Sequence, residues 1–369
     1  MTVLNVAIIG TGMAFEKLHY PAFQELADKY RIVALCDTDQ EKARYWAGIL
    51  NLDMDNVYED YHDMFQREDI NLFDIMVPIS LNYKVTLDVA KNIAGSGKGI
   101  ICEKPAASNE KDARAHRELP SKYNVPILIA ENYRYNEETN IIRDMIREKK
   151  IGDVIYFIYH RFLDFPGDIH KDKFPAKEWR QYPDYQGGAI LDSGVHDLAA
   201  LRHVFGAVDK LQAFGHPLEA DYSPYSVVNV NICFKSGITG HFSFYCSGRE
   251  VQSPLIGFRI FGTEGMIYLE ERGCGTINVA FNNGSEEQIP YIPQRGYYNE
   301  LLNFYNASIK KEPLFVTPEL EYGDTKMVFD ILKSIENDQV IYVDEEKYYE
   351  PGKEKKTPAD KIKSLLNLS

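Results

Sequence analysis

Residues 6–14 read VAIIGTGMA, an apolar run of strand length that breaks into a glycine turn and passes straight into a helical segment. A chain that begins this way is committed to strand–turn–helix units, and the unit recurs downstream. EKLHYPAFQELADKY has helical period, RIVALCD is a second strand and DQEKARYWAGIL a second helix. LFDIMVP, GIICEKP and VPILIAEN are further strands, with the helix LNYKVTLDVAKNIA between the first two. Short apolar strands alternating with amphipathic helices predict an α/β domain. Its sheet should be parallel, doubly wound and covered on both faces, with right-handed crossovers.

The pattern changes after about residue 150. DVIYFIYHRFL, KLQAFGHP, SVVNVNICFKSG, ITGHFSFYCSG, IGFRIFGTEG and MIYLEE read as strands, interrupted by one helix, GGAILDSGVHDLAALRHVFG at 187–206. Two helices follow, YYNELLNFYNASIKK and LEYGDTKMVFDILKSIEN, and VIYVDE is the last strand. This predicts an α+β domain with a mostly antiparallel sheet. The expected division is 1–130, 131–345 and a charged tail over 346–369, and a length of 369 residues suits two domains.

In the first turn, Gly10 permits the sharp reversal, and Gly12 lets the backbone approach a pyrophosphate at the helix N-terminus. Phe15 occupies the third glycine position of that fingerprint. Asp37 ends the second strand, where an acid can accept from the ribose hydroxyls of NAD and repel the 2′-phosphate of NADP. Thr38 and Asp39 follow it with no arginine, so NAD is favoured; Asp39 can cap the next helix. Further on, Glu103-Lys104-Pro105 closes a strand, and Asp192 and His196 stand at i, i+4 on a helix. A lone Lys-Pro is usually a strand exit, and a lone Asp/His pair is usually structural. Together with a dinucleotide turn they point to hydride-transfer chemistry.

In this combination the chain resembles the glucose-fructose oxidoreductase/inositol dehydrogenase family, Gfo/Idh/MocA. The matching segments, in order, are GTGMA with His19 and Pro21, GKGIICEKP, ENYRYN at 131–136, Trp179-Arg180, Gly187 to His196, and FGTEG at 261–265. The match spans about residues 3–345. It departs at Pro78-Ile79-Ser80-Leu81-Asn82, where the family has Pro-Asn-x-x-His, and at Asn136-Glu137, where Asn-Pro is common. The resemblance implies a Rossmann domain followed by an open-faced sheet domain. It also implies oxidation or reduction of a sugar, polyol or sugar-derived keto compound, in a homodimer or homotetramer formed through the second sheet. The cofactor site it implies takes in Gly10, Gly12, Met13, Asp37, Pro78, Asn82, Glu103, Trp179 and Arg180. Arg134 and either His160 or Arg161 would reach the substrate; strand alternation lets only one of the latter two do so.

Three residues then carry the chemistry. His196 is the natural proton acceptor. Asp192 either orients its ring or binds a substrate hydroxyl. Lys104 holds the reacting oxygen and stabilises alkoxide character. No metal is expected, because His196 and His203 on the same helix stand about two turns apart. Cys102 should point into the core, opposite Glu103. Two rival readings share the turn: a redox-neutral glycoside hydrolase that keeps NAD bound, and a non-catalytic nucleotide or sugar sensor.

Composition narrows the setting. A net charge of −14 argues against nucleic acid or an anionic membrane as partner. No apolar run approaches the roughly 20 residues of a membrane span, and no secretory leader is expected. The five cysteines lack metal-type spacing and fit free thiols in a reducing cytoplasm.

Overall fold

The computed structural model describes residues 2–218, 221–248 and 257–344. The tail expected over 346–369 lies outside them.

The apolar runs of the first part pair in parallel, as their two-sided burial requires. In chain order the elements are β1 (Leu4–Ile9), α1 (Tyr20–Glu25), β2 (Tyr30–Cys36), α2 (Gln40–Leu50), β3 (Val57–Tyr58), β4 (Leu72–Ile75) and α3 (Ile79–Asn92). Then come β5 (Gly99–Glu103), α4 (Glu110–His116), α5 (Leu119–Tyr123) and β6 (Ile127–Ala130). Their order across the sheet is β3-β2-β1-β4-β5-β6. This is the doubly wound order of dinucleotide-binding sheets. The helix expected after the glycine turn is not uniform: Phe15–His19 form a wide π-helical turn before α1.

The second part comprises α6 (Glu137–Arg147), β7 (Val154–Phe162), the short α7 (Phe165–Asp168) and α8 (Glu178–Gln181), α9 (Val195–Phe205), β8 (Val208–His216), β9 (Val227–Phe234) and β10 (Thr239–Tyr245). It continues with β11 (Phe258–Gly262), β12 (Gly265–Leu269), β13 (Thr276–Phe281), β14 (Glu286–Pro290), α10 (Gly296–Lys310), α11 (Pro318–Asn337) and β15 (Ile341–Tyr342). Nine strands form one sheet in the order β14-β13-β12-β11-β7-β10-β9-β8-β15. All pairs are antiparallel except β7 with β10. One face, carrying Phe157, Tyr159, Val230, Phe242 and Ile260, belongs to the second core with Leu198, Leu201 and Val328 of α9 and α11. On the other face Tyr156 stacks on Phe261 at 4.4 Å.

The boundary at residue 131 is incomplete as a description of packing. Leu301, Phe304 and Tyr305 of α10, and Val316 beyond it, are buried in the first core. The Tyr30 hydroxyl donates to the Leu301 carbonyl at 2.6 Å.

Candidate active site

The chain leaves β1 toward one side of the first sheet and β4 toward the other, so a crevice opens at their C-terminal ends. Gly10 lines it with φ +97°, and a Cβ there would lie 2.2 Å from the Met76 carbonyl oxygen. A Cβ on Gly12 would meet nothing within 4 Å, because Gly12 borders open cleft. Phe15, in the third glycine position, turns away into the core, edge-on to Trp46 at 4.9 Å. The cleft has a volume of about 610 Å³. It runs from Asp37 past Met13 and Pro78 to Glu103, Lys104, Arg161, Trp179, Arg180, Asp192 and His196.

Asp37 is less free than the sequence suggests. Its Oδ2 accepts from the Thr11 amide at 2.7 Å and hydroxyl at 2.8 Å, and its Oδ1 from the Asp39 amide at 2.9 Å. A carboxylate has about four acceptor positions, so capacity for a ribose hydroxyl remains. Asp39 caps α2 as expected, accepting from the Lys42 amide at 3.2 Å. The open space beside Gly12, the amides of the turn and an acid at the far end fit a dinucleotide.

At the end of β5 the Glu103 carboxylate accepts from the Lys104 amide at 3.1 Å. Its Oε1 lies 2.9 Å from Nε2 of buried His19, whose Nδ1 faces Asp74 at 2.8 Å. Burial opposes charge on this imidazole, but the two carboxylates raise its pKa well above the ordinary value. Burial likewise works against the Glu103 charge, and His19 nonetheless lowers its pKa. Lys104 Nζ donates to the Asp192 carbonyl at 2.5 Å and lies 3.2 Å from Oδ1. Arg180 Nε donates to Asp192 Oδ2 at 2.6 Å, while its guanidinium stacks on Trp179 at 4.0 Å. Burial disfavours the Asp192 charge, yet these two cations hold the carboxyl well below the usual range.

The helix entering α9 opens with a π-helical turn, Ile190–Gly194, and this parts the Asp/His pair. Asp192 goes to Lys104 and Arg180. The His196 ring is oriented instead by Glu131, whose two oxygens lie 2.8 and 2.9 Å from Nδ1. Burial, then the Lys104 ammonium, push His196 well below its ordinary pKa. Burial and the Asp324 carboxylate raise Glu131 to about 8. Tyr133 stacks on His196 at 4.5 Å, and Arg272 lies over the other partner of that stack, 3.7 Å from the Tyr133 ring centre. Glu131 and Tyr133 escaped the sequence reading. The available clue was position, since Glu131 follows β6 directly, as Lys104 follows β5, and such strand ends line the crevice.

Three expected site residues lie elsewhere. Arg134 is fully buried and does not face the cleft; its Nε and Nη2 grip Asp324 of α11 at 2.8 and 2.5 Å, alongside Arg202. Asn82 is buried too, its amide donating to the carbonyls of Glu103 and Pro105 at 3.0 and 2.8 Å, so it braces the strand end instead of holding cofactor. Alternation settles the β7 pair: Arg161 shares the face of Phe157 and Tyr159 and lines the cleft, while His160 points to the outer face. Cys102 is buried in the first core as expected. Among the described residues no three His, Cys, Asp or Glu side chains converge as a metal site requires, and His203 Nε2 faces Arg143 and Asn140.

Comparison with known proteins agrees with this arrangement. Residues 4–130 match the oxidoreductase family with an NAD-binding Rossmann fold, and residues 140–268 match the GFO/IDH/MocA C-terminal domain. An uncharacterized protein of Saccharomyces cerevisiae is 26% identical over 346 residues, covering 90% of this chain and 96% of the relative. Levoglucosan dehydrogenase of Pseudarthrobacter phenanthrenivorans is 24% identical over 371 residues, covering 91% of this chain and 90% of that enzyme. A Thermotoga maritima oxidoreductase structure superposes with a TM-score of 0.80 at 21% identity, over 92% of this chain and 98% of that one. A levoglucosan dehydrogenase structure in complex with NADH does so with a TM-score of 0.81 at 21% identity, over 93% and 99%. With both of its domains matched and a glycine-turn cleft closed by Lys104, Asp192 and His196, the chain belongs to the Gfo/Idh/MocA family of oxidoreductases.

Proposed function

We propose that the protein is an NAD-dependent dehydrogenase or reductase acting on a sugar, polyol or sugar-derived keto compound. The observation that carries this reading is a single cleft joining the glycine turn and Asp37 to Lys104 and His196. Bound nicotinamide would supply the two-electron acceptor or donor; the chain's own residues handle oxygen and proton. Lys104, fixed by Asp192, holds the reacting oxygen. His196 commits Nδ1 to Glu131, which leaves Nε2 for the substrate hydroxyl. In the oxidising direction Nε2 takes the hydroxyl proton while the Nδ1 proton passes to Glu131. No buried imidazolium has to persist beside the Lys104 ammonium. This matches the directions of the two shifts, imidazole down and carboxyl up.

NAD is preferred over NADP on this reading. Asp37 and Glu59 line the ribose end, and Lys42, the cation nearby, is paired to Asp39 at 2.9 Å. Unpaired cysteines among the described residues support a reducing cytoplasm. Exposed Tyr156, Phe214 and Tyr342 on strands of the second sheet support a homodimer or homotetramer.

The test is NADH formation or consumption across sugars, uronates, inositols and keto-sugars, with both cofactors titrated by tryptophan fluorescence. NAD should bind more tightly, and Asp37→Ala should narrow the gap. Tighter NADP binding would overturn the cofactor assignment. NAD that survives purification without net turnover would move the protein to the redox-neutral hydrolases.

A further inference from the structure

We propose that the substrate carries a carboxylate and that Arg161 is the residue that selects it. The inference rests on the oxidoreductase reading and names the substrate class of that same site.

The guanidinium of Arg161 is unusual among the cations at the substrate end of the cleft. Lys104 and Arg180 are both bonded to Asp192. Arg272, just behind Tyr133, donates to Glu138 at 3.1 Å and to the Tyr159 hydroxyl at 2.8 Å. Arg161 makes no side-chain hydrogen bond among the described residues. Its one ionic contact is Nε to Asp197 Oδ2 at 3.5 Å. Asp197 is fully buried, and its other oxygen is bonded to the Tyr159 hydroxyl at 2.6 Å and shared with Arg272 at 3.8 Å. The Arg161 side chain is 29% exposed and lines the same cleft as Lys104 and His196.

A guanidinium offers five N–H donors in a rigid fork, and that of Arg161 leaves a buried Nε without a hydrogen bond, which is costly. A sugar hydroxyl fills one position of such a fork. A carboxylate fills two parallel ones and adds charge, which matches a cleft-lining guanidinium that makes no side-chain hydrogen bond and only a 3.5 Å ionic contact. The pairings agree: Asp192 serves Lys104 and Arg180, and Glu138 serves Arg272, whereas Arg161 meets only Asp197, at 3.5 Å.

The test compares matched pairs on the full chain with NAD present: D-glucuronate with D-glucose, D-galacturonate with D-galactose, D-gluconate with D-glucitol. The readouts are NADH formation and calorimetric binding to the NAD-loaded protein. At least one acid should exceed its neutral partner about tenfold or more in kcat/KM or affinity. Arg161→Leu should cut that preference roughly 10- to 100-fold, the value of a charge-assisted pair. Arg161→Lys, which keeps the charge but not the fork, should retain part of it. These variants are compared only after circular dichroism shows both folded; the wild-type comparison stands without them. Neutral sugars turned over in preference to every acid would overturn the carboxylate assignment while leaving the oxidoreductase reading intact. Acids that bind through Arg161 without any NADH formation would support the assignment and sink that reading instead. Binding of no acid, or tighter binding of D-glucose 6-phosphate, would also overturn the proposal.

Discussion

In the proposed reaction His196 and Glu131 act as one proton-carrying unit, and pH dependence follows from that. The unit's ionisation is set by Glu131, raised to about 8 by burial and Asp324 against the pull of Lys104 and Arg134. Oxidation needs Glu131 ionised to receive the Nδ1 proton, so kcat/KM for alcohol oxidation should rise as pH passes about 8. Glu131→Gln should remove that rise and lower kcat while sparing NAD affinity; an unaltered pH profile would eliminate Glu131 from the relay. His196→Ala should lower kcat by about 10²–10⁴-fold, the usual worth of a positioned acid/base. Gly12→Val should abolish NAD binding without unfolding the chain, because its side chain would enter open cleft instead of packed protein; normal NAD titration by a folded variant would refute the cradle. That Lys104, His196 and Asp37 line one cleft was legible in the sequence because each sits where strand ends or helix period fix it. Glu131 and Arg134 were not, although they stand three residues apart. Around the 3₁₀ turn Asn132–Arg134 one goes to His196 and the other to Asp324, a partner 190 residues away that no local pattern reveals.

At the scale of elements, β1, β2, β4, β5 and β6 and most of the second sheet could be read from apolar runs. The two-residue β3, the short helices α4, α5, α7 and α8, and β13, β14 and α6 could not. β14 is almost wholly exposed and reads EEQIP, so it lacks the alternation that marks a half-buried strand, and β13 lost its visible partner with it. α6 buries only Glu138, Thr139, Ile142 and Met145, two of them polar, so its inward stripe is faint in sequence. The helices α10 and α11 were foreseen, but not where they pack. Phe304 of α10 is buried in the first core, and its ring lies where a Gly99 side chain would start. Phe304→Ala should therefore destabilise the glycine-turn domain, though it lies in the other half of the sequence, by about 3–5 kcal/mol. Urea melts with and without saturating NAD would show this as a lower midpoint in both. A loss under about 1 kcal/mol would mean that α10 is dispensable to that core.

For the whole molecule, the buried acids set an upper limit on the pH of best stability. Glu131 and Glu321 are raised to about 8, and Glu300 also lies well above its ordinary value, all by burial. Each keeps its proton in the folded chain at a pH where the unfolded chain has released it, so stability falls as pH rises through that window. Buried His116, His196 and His203, all depressed by burial, act the other way: below 6.5 the unfolded chain takes up protons that they refuse. His19, raised, adds stability at low pH that is lost as pH climbs through its folded value. Between pH 6.5 and 8 the acids and His19 dominate, and the calorimetric Tm should decline. Glu300→Gln should flatten the decline; a Tm that climbs over the same interval would contradict it. The return of α10 to the first core also orders events during synthesis. All six strands of the dinucleotide sheet have been made by residue 130, yet Leu301, Phe304, Tyr305 and Val316 seal that core only after the whole second sheet up to β14 has left the ribosome. The cofactor-binding half thus waits, partly uncovered, for the last quarter of the chain, and that interval is when a nascent molecule most needs a chaperone.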